Sequence, residues 1–482
     1  MGALQALDPI IKRLPEVAKP SKPISFKGKL AWTTIVLTIY LIMGQIPLYP
    51  LNYSTNPSLQ GAQIALMSIV FASKIGTLMQ LGVGPIVTAG LIMQLLVGSK
   101  LINMDLTDPT EKALFTGAQK LLAIIFAAFE AGAYLIGGFF GNPPSGFTYP
   151  LFATLIFIQL FIAGVLVIYL DEILEKGWGF GSAVSLFILA GITQQMFSEL
   201  LNPIHVGDGF AYGILWALGS SISNSTALHY IILRGGSWPS IVGLLTTIII
   251  LIIVVYATGA RVEIPIAYAR YGGMRTKIPL QFLYVSNVPI ILASALNANI
   301  IFFSQFLWKS YNPGNNNPIL NLFFQFKFVP NATQPVPSGG LVYYMTPPRG
   351  LVNAVEDPMH AIGYILILTL LSIIFAIAWV NTSGMDARSQ AENLVRSGIQ
   401  IPGFRSSVQV IESMLNRYIP TLTWFSGLIV GLLAAFADIL GALGTGMGIL
   451  LAVGIVNQFY QILAAQRLEE EYPAVARILG LR

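Results

Sequence analysis

Runs of about 20 apolar residues recur along most of this 482-residue chain and are separated by short polar segments. A helix needs about 20 such residues to cross the hydrocarbon core of a bilayer. The pattern therefore predicts ten membrane-spanning helices, five in each half of the chain. The predicted spans are 30–50, 81–98, 113–139, 150–170, 180–198, 239–259, 283–303, 359–381, 420–438 and 443–465.

The composition supports a membrane protein and excludes several kinds of site. Hydrophobic residues make up 55% of the chain and charged residues 10%, whereas charged residues make up about a quarter of a soluble protein. The absence of cysteine excludes disulfides, thiolate metal sites and cysteine nucleophiles. We expect an all-α polytopic membrane protein without a metal or another cofactor.

The basic residues predict the orientation. Of the 26 Lys and Arg residues, 21 lie in segments that ten spans place on one side. Because basic residues are retained on the cytosolic side, both termini are predicted to be cytosolic. The predicted domains are a cytosolic N-terminal segment (1–29), a first half (30–200), an external linker (201–238), a second half (239–465) and a cytosolic tail (466–482).

Five spans per half make the second half enter the membrane from the opposite side. Halves that share a fold are then related by a twofold axis in the membrane plane, and the functional path lies between them. One segment, 58–81, breaks the pattern, because its apolar run is too short to cross and Gly82–Pro85 interrupts any helix. It is either a re-entrant connector or a movable stopper in a pore.

Six stretches resemble the SecY family, whose members form the pore of the protein-translocation channel. The sequences of these stretches are closest to the archaeal branch of that family. They are ASKIGTLMQLGVGPIVTAGLIMQLLVGS (72–99), DEILEKGWGFGSAVSLFILAG (171–191), ARVEIPIAYAR (260–270), YVSNVPIILASAL (284–296), IPGFR (401–405) and FADILGALGTGMGILLAV (436–453). The resemblance implies a clamshell of two five-helix halves around a central pore, hinged between spans 5 and 6. A plug near 59–73 is implied, and so is a lateral gate between spans 2–3 and 7–8.

The resemblance also implies a function and its residues. The chain is expected to conduct unfolded secretory polypeptides across the cell membrane and to release transmembrane segments laterally into the bilayer. An apolar constriction dewets when it is empty and surrounds a chain without hydrogen-bonding to it. The positions that match the pore ring are Val83, Val87, Val184, Ile188, Ile291 and Leu451. The alternative is that they are ordinary aliphatic residues of membrane helices.

Polar residues in the predicted spans are candidates for the gate. Thr88, Gln119 and Asn287 match the polar cluster of the family's lateral gate, although ordinary contacts between helices remain an alternative. Glu130 lies about 18 residues into span 3, roughly 27 Å along the helix and towards the outer side. We expect a contact between Glu130 and Lys74 that holds the plug closed, and an unrelated buried role for Glu130 is the alternative.

The two long cytosolic loops, 260–282 and 382–418, are basic. The residues expected to bind a partner are Arg270, Arg275, Lys277 and Arg405. The partner is a polyanion such as ribosomal RNA, for which binding weakens steeply with salt. Whether or not the loops bind a partner, their basic residues also serve as a signal for membrane topology.

The resemblance implies a heterotrimer with a SecE-type subunit and a small beta/SecG-type subunit. A ribosome or a motor ATPase is expected on the cytosolic side, and signal sequences, nascent chains and membrane lipid are further partners. The main alternative function is a secondary transporter with inverted repeats, but such proteins carry ionisable residues near the midplane. An enzyme is not expected, because no catalytic constellation or nucleotide-binding loop is found in the sequence.

Overall fold

The computed structural model describes residues 8–51, 72–98, 101–102, 104, 108–141, 143–144, 146–205, 209–222, 225–235, 238–268, 274–285, 288–328, 335–396, 399–400 and 408–471. Its ten long apolar helices are labelled α1 to α10 in chain order. They are Phe26–Met43, Gly84–Gly98, Pro109–Ile136, Tyr149–Ile173, Ala183–Leu201, Ile241–Gly259, Val288–Tyr311, Pro358–Thr382, Ile419–Ile439 and Gly446–Glu471. Each predicted span is matched by one of these helices. The bounds differ most for α7, which begins and ends several residues later than predicted.

Nine of these helices within the described residues are long enough to cross a membrane, and α2, with 15 residues, is shorter. The break predicted at 82–85 is the reason. Gly82 has a φ of 55°, which is the left-handed region, and α2 begins only at Gly84. The irregular backbone before it is paired with the chain after α1, because the amide of Leu48 donates to the carbonyl oxygen of Gly76 at 2.9 Å. These bonds satisfy backbone groups that no helix satisfies.

Side chains at several helix starts bind the backbone amides that have no partner inside the helix. Asp108 accepts from the amide of Thr110 at 2.8 Å at the start of α3, and its hydrogen bonds hold the pKa of that carboxyl below its ordinary value. Asp357 accepts from the amide of His360 at 3.0 Å at the start of α8. In both helices the first residue is proline, which has no amide hydrogen to satisfy.

Helices α8 and α9 approach each other closely through glycine. A Cβ atom at Gly427 would lie 2.7 Å from the Cα atom of Ile373, and one at Gly431 would lie 2.7 Å from the Cα atom of Thr369. Small residues at such positions allow two backbones to pack directly in a membrane. Between the halves, α2 packs against α7 and α8, and α5 packs against α10.

The segments between the spans contain short helices and strands that the predicted all-α class did not include. Strands β1 (Arg261–Tyr268) and β2 (Met274–Gln281) form an antiparallel hairpin in the first basic loop, and a second, separate pair is β3 (Gln325–Lys327) with β4 (Val336–Gly339). The short strand β5 (Ile399–Gln400) of the second basic loop pairs with β1. The short helices are Asp8–Ile11, Ile214–Ser221, Ser225–Ile232, Pro318–Phe323, Gly340–Met345, Leu351–Glu356, Ala387–Arg396 and Val408–Leu415.

A buried carboxylate connects the two halves near the end of α5. Glu199 of α5 accepts a hydrogen bond from the amide of Gly444, just before α10, at 2.7 Å. Its other oxygen lies 3.9 Å from a guanidinium nitrogen of Arg349, which also belongs to the second half. Glu199 is only 5% exposed, so both contacts are shielded from water. The contacts of Glu199 therefore form a polar tie between α5 and the second half.

Replacing Glu199 by alanine removes this tie and leaves a buried cation and a buried amide without their acceptor. We expect a loss of about 3 kcal/mol in the free energy of unfolding, measured as a lower thermal midpoint of the purified protein. Glu199→Gln keeps one carbonyl oxygen and should lose less. The control is Glu356→Ala, at an exposed acid. Equal midpoints for Glu199→Ala and Glu356→Ala would show that the tie contributes nothing.

Candidate pore and lateral gate

All six residues predicted for the pore ring lie in one apolar cluster built from both halves. Val83 immediately precedes α2 and Val87 lies in its first turn, and the amide of Val87 donates to the carbonyl oxygen of Val83 at 3.0 Å. Val83, Ile188 on α5 and Leu451 on α10 have no exposed surface. Val87 is also buried, and the two further positions, Val184 on α5 and Ile291 on α7, are partly buried against the same cluster.

This cluster lies between the halves. The six ring side chains are aliphatic, so a water molecule between them finds no polar partner, and a site that holds water needs two to four. Ala72, just before the break, is buried in the same cluster and extends the contact beyond the six positions. The arrangement is therefore closed and apolar.

The predicted plug, 59–73, lies outside the described residues except for Ala72 and Ser73. Its end is held by α1 and α5. The hydroxyl of Tyr40 donates to the carbonyl oxygen of Ala72 at 3.1 Å, and the Tyr40 ring stacks on Phe187 of α5 with centroids 4.4 Å apart. A Cβ atom at Gly191 would lie 3.6 Å from the Cα atom of Ala72, so α5 approaches this backbone closely.

Lys74 and Glu130 do not form the expected contact in this structure, although both residues are described. The Lys74 side chain passes Gly44 after α1, with its Cδ atom 3.6 Å from the position of a Cβ at that glycine. Glu130 is buried in α3 and interacts instead with the hydroxyl of Thr88 on α2. The expected ion pair is absent because the two side chains have other neighbours: Lys74 lies beside α1, and Glu130 faces α2.

Thr88 is the point at which α2, α3 and α7 meet. Its hydroxyl oxygen accepts a hydrogen bond from the side-chain amide of Asn299 on α7 at 3.0 Å, and the carboxyl group of Glu130 on α3 lies on its other side. All three residues are buried. Within the described part of the chain, the Oε1 atom of Glu130 has no hydrogen-bond partner. The predicted meeting of spans 2, 3 and 7 is thus observed, with Glu130 and Asn299 beside Thr88.

The other two predicted gate residues have different positions. Gln119 of α3 packs on α2, with its Nε2 atom 3.1 Å from the position of a Cβ at Gly90. Asn287 lies outside the described residues and stays a prediction. Asn299 was missed, although an amide in the middle of an apolar helix signals a buried partner.

Asp438, the acid closest to the interior of a span in the second half, has a structural position. One carboxyl oxygen accepts from the Tyr364 hydroxyl at 2.7 Å, and the other accepts from the amide of Gly446 at 2.8 Å. Asp438 therefore binds the first amide of α10, the helix that carries Leu451 of the apolar cluster.

The two basic loops are joined through β1 and β5. In the sheet, Ala267 of β1 pairs with Arg275 of β2 on one side and with Gln400 of β5 on the other. Backbone positions of the first and second basic loops therefore lie in the same row of the sheet. Lys277 lies opposite Pro265 in the same hairpin. Arg270 and Arg405 lie outside the described residues. The strand pairing brings the predicted binding loops together.

Long apolar helices from two halves that pack on one apolar cluster are the architecture of a membrane channel. A family model for SecY matches residues 77–460. The protein translocase subunit SecY of Aeropyrum pernix is 42% identical over 480 residues, which cover 100% of this chain and 99% of the relative. The chain belongs to the SecY family.

Solved structures give the same result. A protein-conducting channel superposes with a TM-score of 0.80 at 40% identity and covers 98% of this chain and 99% of its own. Sec61 in the canine ribosome–channel complex superposes with a TM-score of 0.78 at 39% identity and the same coverage. The chain is a channel-forming subunit of a protein translocase, and the secondary-transporter alternative is not favoured.

The bond between Tyr40 and Ala72 predicts a measurable effect on resting leak. Tyr40→Phe keeps the ring stacked on Phe187 and removes only the hydroxyl. A hydrogen bond of about 1 kcal/mol changes an equilibrium about fivefold, so we expect about fivefold more ion leak in reconstituted vesicles. The control is Tyr256→Phe, which deletes a hydroxyl that is 82% exposed. Equal leak in the two variants would contradict a closing role for Tyr40.

Proposed function

We propose that the ring of Val83, Val87, Val184, Ile188, Ile291 and Leu451 is the constriction through which unfolded secretory polypeptides pass. The observation that carries the proposal is that these six branched aliphatics come from four helices in both halves and pack into one buried cluster. Such a ring excludes ions when it is empty. It also releases a moving chain easily, because it offers that chain no hydrogen bonds.

We infer that transmembrane segments leave sideways between α2–α3 and α7–α8. Helix α2 packs directly on α7 and α8 of the other half, and a polar contact at that interface is the bond from Asn299 to Thr88. Hydrogen bonds between membrane helices contribute about 0.6–1.7 kcal/mol. A contact of this strength keeps a gate closed at rest and still yields to an inserting apolar segment. Gln119, which packs on α2 from α3, and Asn287 remain proposed gate residues.

The proposed location is the cell membrane, with both termini cytosolic and segment 201–238 as the external hinge. The excess of basic residues on one side supports this orientation. The N-terminal segment also lies against α3 and α4 on the predicted cytosolic side. There Lys120 of α3 bonds to Glu172 of α4 at 2.7 Å and to the carbonyl oxygen of Pro15 at 2.5 Å. A hydrogen bond from Lys176 lowers the pKa of Glu16 in this segment.

The proposed cytosolic partner is the ribosome, with a motor ATPase as the alternative. The similar Sec61 chain occurs in a ribosome–channel complex, and strand β5 ties the two basic loops of this chain into one surface. Arg270, Arg275, Lys277 and Arg405 are the proposed contacts with RNA phosphate. A SecE-type subunit and a small beta/SecG-type subunit complete the proposed heterotrimer.

Site-specific photo-crosslinking tests the pore. Probes at Val83, Ile188 and Leu451 should crosslink to a stalled secretory chain, because all three side chains lie in the closed ring. A probe at Ile252 of α6, which is 61% exposed on the outer surface of the protein, is the control and should crosslink to lipid. Absence of nascent-chain crosslinks at all three ring positions would overturn the pore assignment.

Charge reversal in the loops tests the partner surface. Arg275→Glu and Arg405→Glu should each raise the dissociation constant for ribosomes about tenfold near physiological salt and flatten its salt dependence by about one phosphate contact. The control is Lys327→Glu, the same charge change at an exposed residue of β3 on the predicted outer side. Binding that is equal to the wild type for both loop variants would favour the motor ATPase.

A further inference from the structure

An aromatic cluster spans the interface between α3 and α7. Its members are Phe129, Tyr134, Phe139, Phe302 and Phe303, and we refer to them as the aromatic seam. Phe129 and Tyr134 belong to α3, Phe139 follows its last turn, and Phe302 and Phe303 belong to α7. The seam therefore joins a helix of the first half to a helix of the second.

Three ring pairs cross the interface. The centroids of Tyr134 and Phe302 are 4.8 Å apart, those of Phe139 and Phe302 are 5.8 Å apart, and those of Phe129 and Phe303 are 5.7 Å apart. All three pairs are tilted, which is a favourable geometry for aromatic rings at such distances. Phe302 is 2% exposed and Tyr134 is 7% exposed, whereas Phe129 is 52% exposed. The seam thus runs from the buried interface to the outer surface of the helices.

The position of the seam follows from helix spacing. Tyr134 is four residues after Glu130 on α3, and Phe303 is four residues after Asn299 on α7. Residues separated by four lie on the same helix face, about one turn apart. Tyr134 and Phe303 therefore lie about one turn beyond the polar cluster around Thr88, whereas Phe129, next to Glu130 in the chain, lies at the height of that cluster. Further along both helices, the ammonium group of Lys309 lies 3.5 Å from the carbonyl oxygen of Gly138.

A segment that leaves the pore between α3 and α7 must separate these rings. The polar cluster holds the helices through Thr88, whereas the aromatic seam holds them through three direct pairs of rings. Every pair is lost when the helices part, and only an entering side chain that is itself large and apolar replaces the lost contact. An aromatic side chain replaces it best, since it restores the ring geometry.

We propose that the aromatic seam is a specificity-determining surface for the apolar segments that open the lateral gate. It sets how hydrophobic a segment must be, and it favours segments that present an aromatic side chain at the seam. This inference rests on the proposed lateral release and adds the residues that select the segment.

The first test compares Tyr134→Leu with Tyr134→Phe. Both variants lose the hydroxyl, and only Tyr134→Leu loses the ring. With a graded series of signal segments in reconstituted vesicles, we expect Tyr134→Leu to transport weakly hydrophobic segments about tenfold better than Tyr134→Phe. An aromatic residue in the segment should lose its advantage over leucine in the Tyr134→Leu channel. Phe302→Leu removes two pairs from the opposite helix and should give the same shift.

Two controls separate the seam from other causes. Phe157→Leu removes a ring from the Phe157–Phe161 pair, which lies within α4 alone, and should leave the threshold unchanged. Because the chain has no cysteine, labels at Ile136→Cys and Tyr311→Cys report the distance between the exposed ends of α3 and α7. That distance should lengthen in Tyr134→Leu and stay the same in Phe157→Leu.

The outcomes distinguish this inference from the proposed function. If both Tyr134 variants and Phe302→Leu share one threshold while strongly hydrophobic signals are still transported, the seam is not selective and the channel assignment stands. If the wild-type complex neither transports nor crosslinks any segment, the proposed function fails, and this inference fails with it.

Discussion

Hydrocarbon contains no water to pair with a backbone amide, and the architecture of this protein follows from that constraint. Ten helices satisfy their own backbone groups. Among the described residues, the irregular stretch before α2 instead bonds its amides and carbonyls to the chain after α1, as between Leu48 and Gly76. The break is tolerated because it is surrounded by protein. It also places Val83 and the first turn of α2, with Val87, in the apolar ring.

Helix α2 connects the ring to the gate. Val87 belongs to the apolar cluster, and the adjacent Thr88 bonds to α7 and faces Glu130 of α3. Neighbouring residues on a helix point about 100° apart, so a single short helix presents hydrocarbon to the pore and a hydroxyl to the gate. Any displacement of α2 therefore alters both contacts together, so in the proposed function opening of the pore is coupled to opening of the gate.

The two halves are joined by one kind of contact between α5 and the loop before α10 and by another kind between α3 and α7. Between α5 and the loop before α10, a buried carboxylate bonds a backbone amide at 2.7 Å, and such a contact is costly to break because it leaves buried polar groups unpaired. Between α3 and α7 the contacts are mainly between rings, and an entering apolar segment can replace them. This difference supports the proposal that the side of α5 and α10 stays fixed and the side of α3 and α7 opens.

The sequence by itself determined the class, the ten apolar helices and the break before α2, because apolar length, glycine and proline act locally. The pore ring stays a prediction from the collinear resemblance. The predictions that depended on which residues of different helices come into contact were less accurate. Asn287 was predicted from the resemblance and lies outside the described residues, whereas the contact of Asn299 with Thr88 is seen only in the structure. The expected contact of Lys74 with Glu130 depended on the path of side chains between helices.

Only the tertiary structure decided which polar groups meet. Thr88, Glu130 and Asn299 are far apart in the chain, and their proximity depends on how α2, α3 and α7 pack. The pairing of β5 with β1 was equally invisible, since strands outside the membrane carry no length requirement and their partners lie more than a hundred residues away. Local hydrophobicity specifies the elements, whereas the contacts between halves arise from packing over long sequence separations.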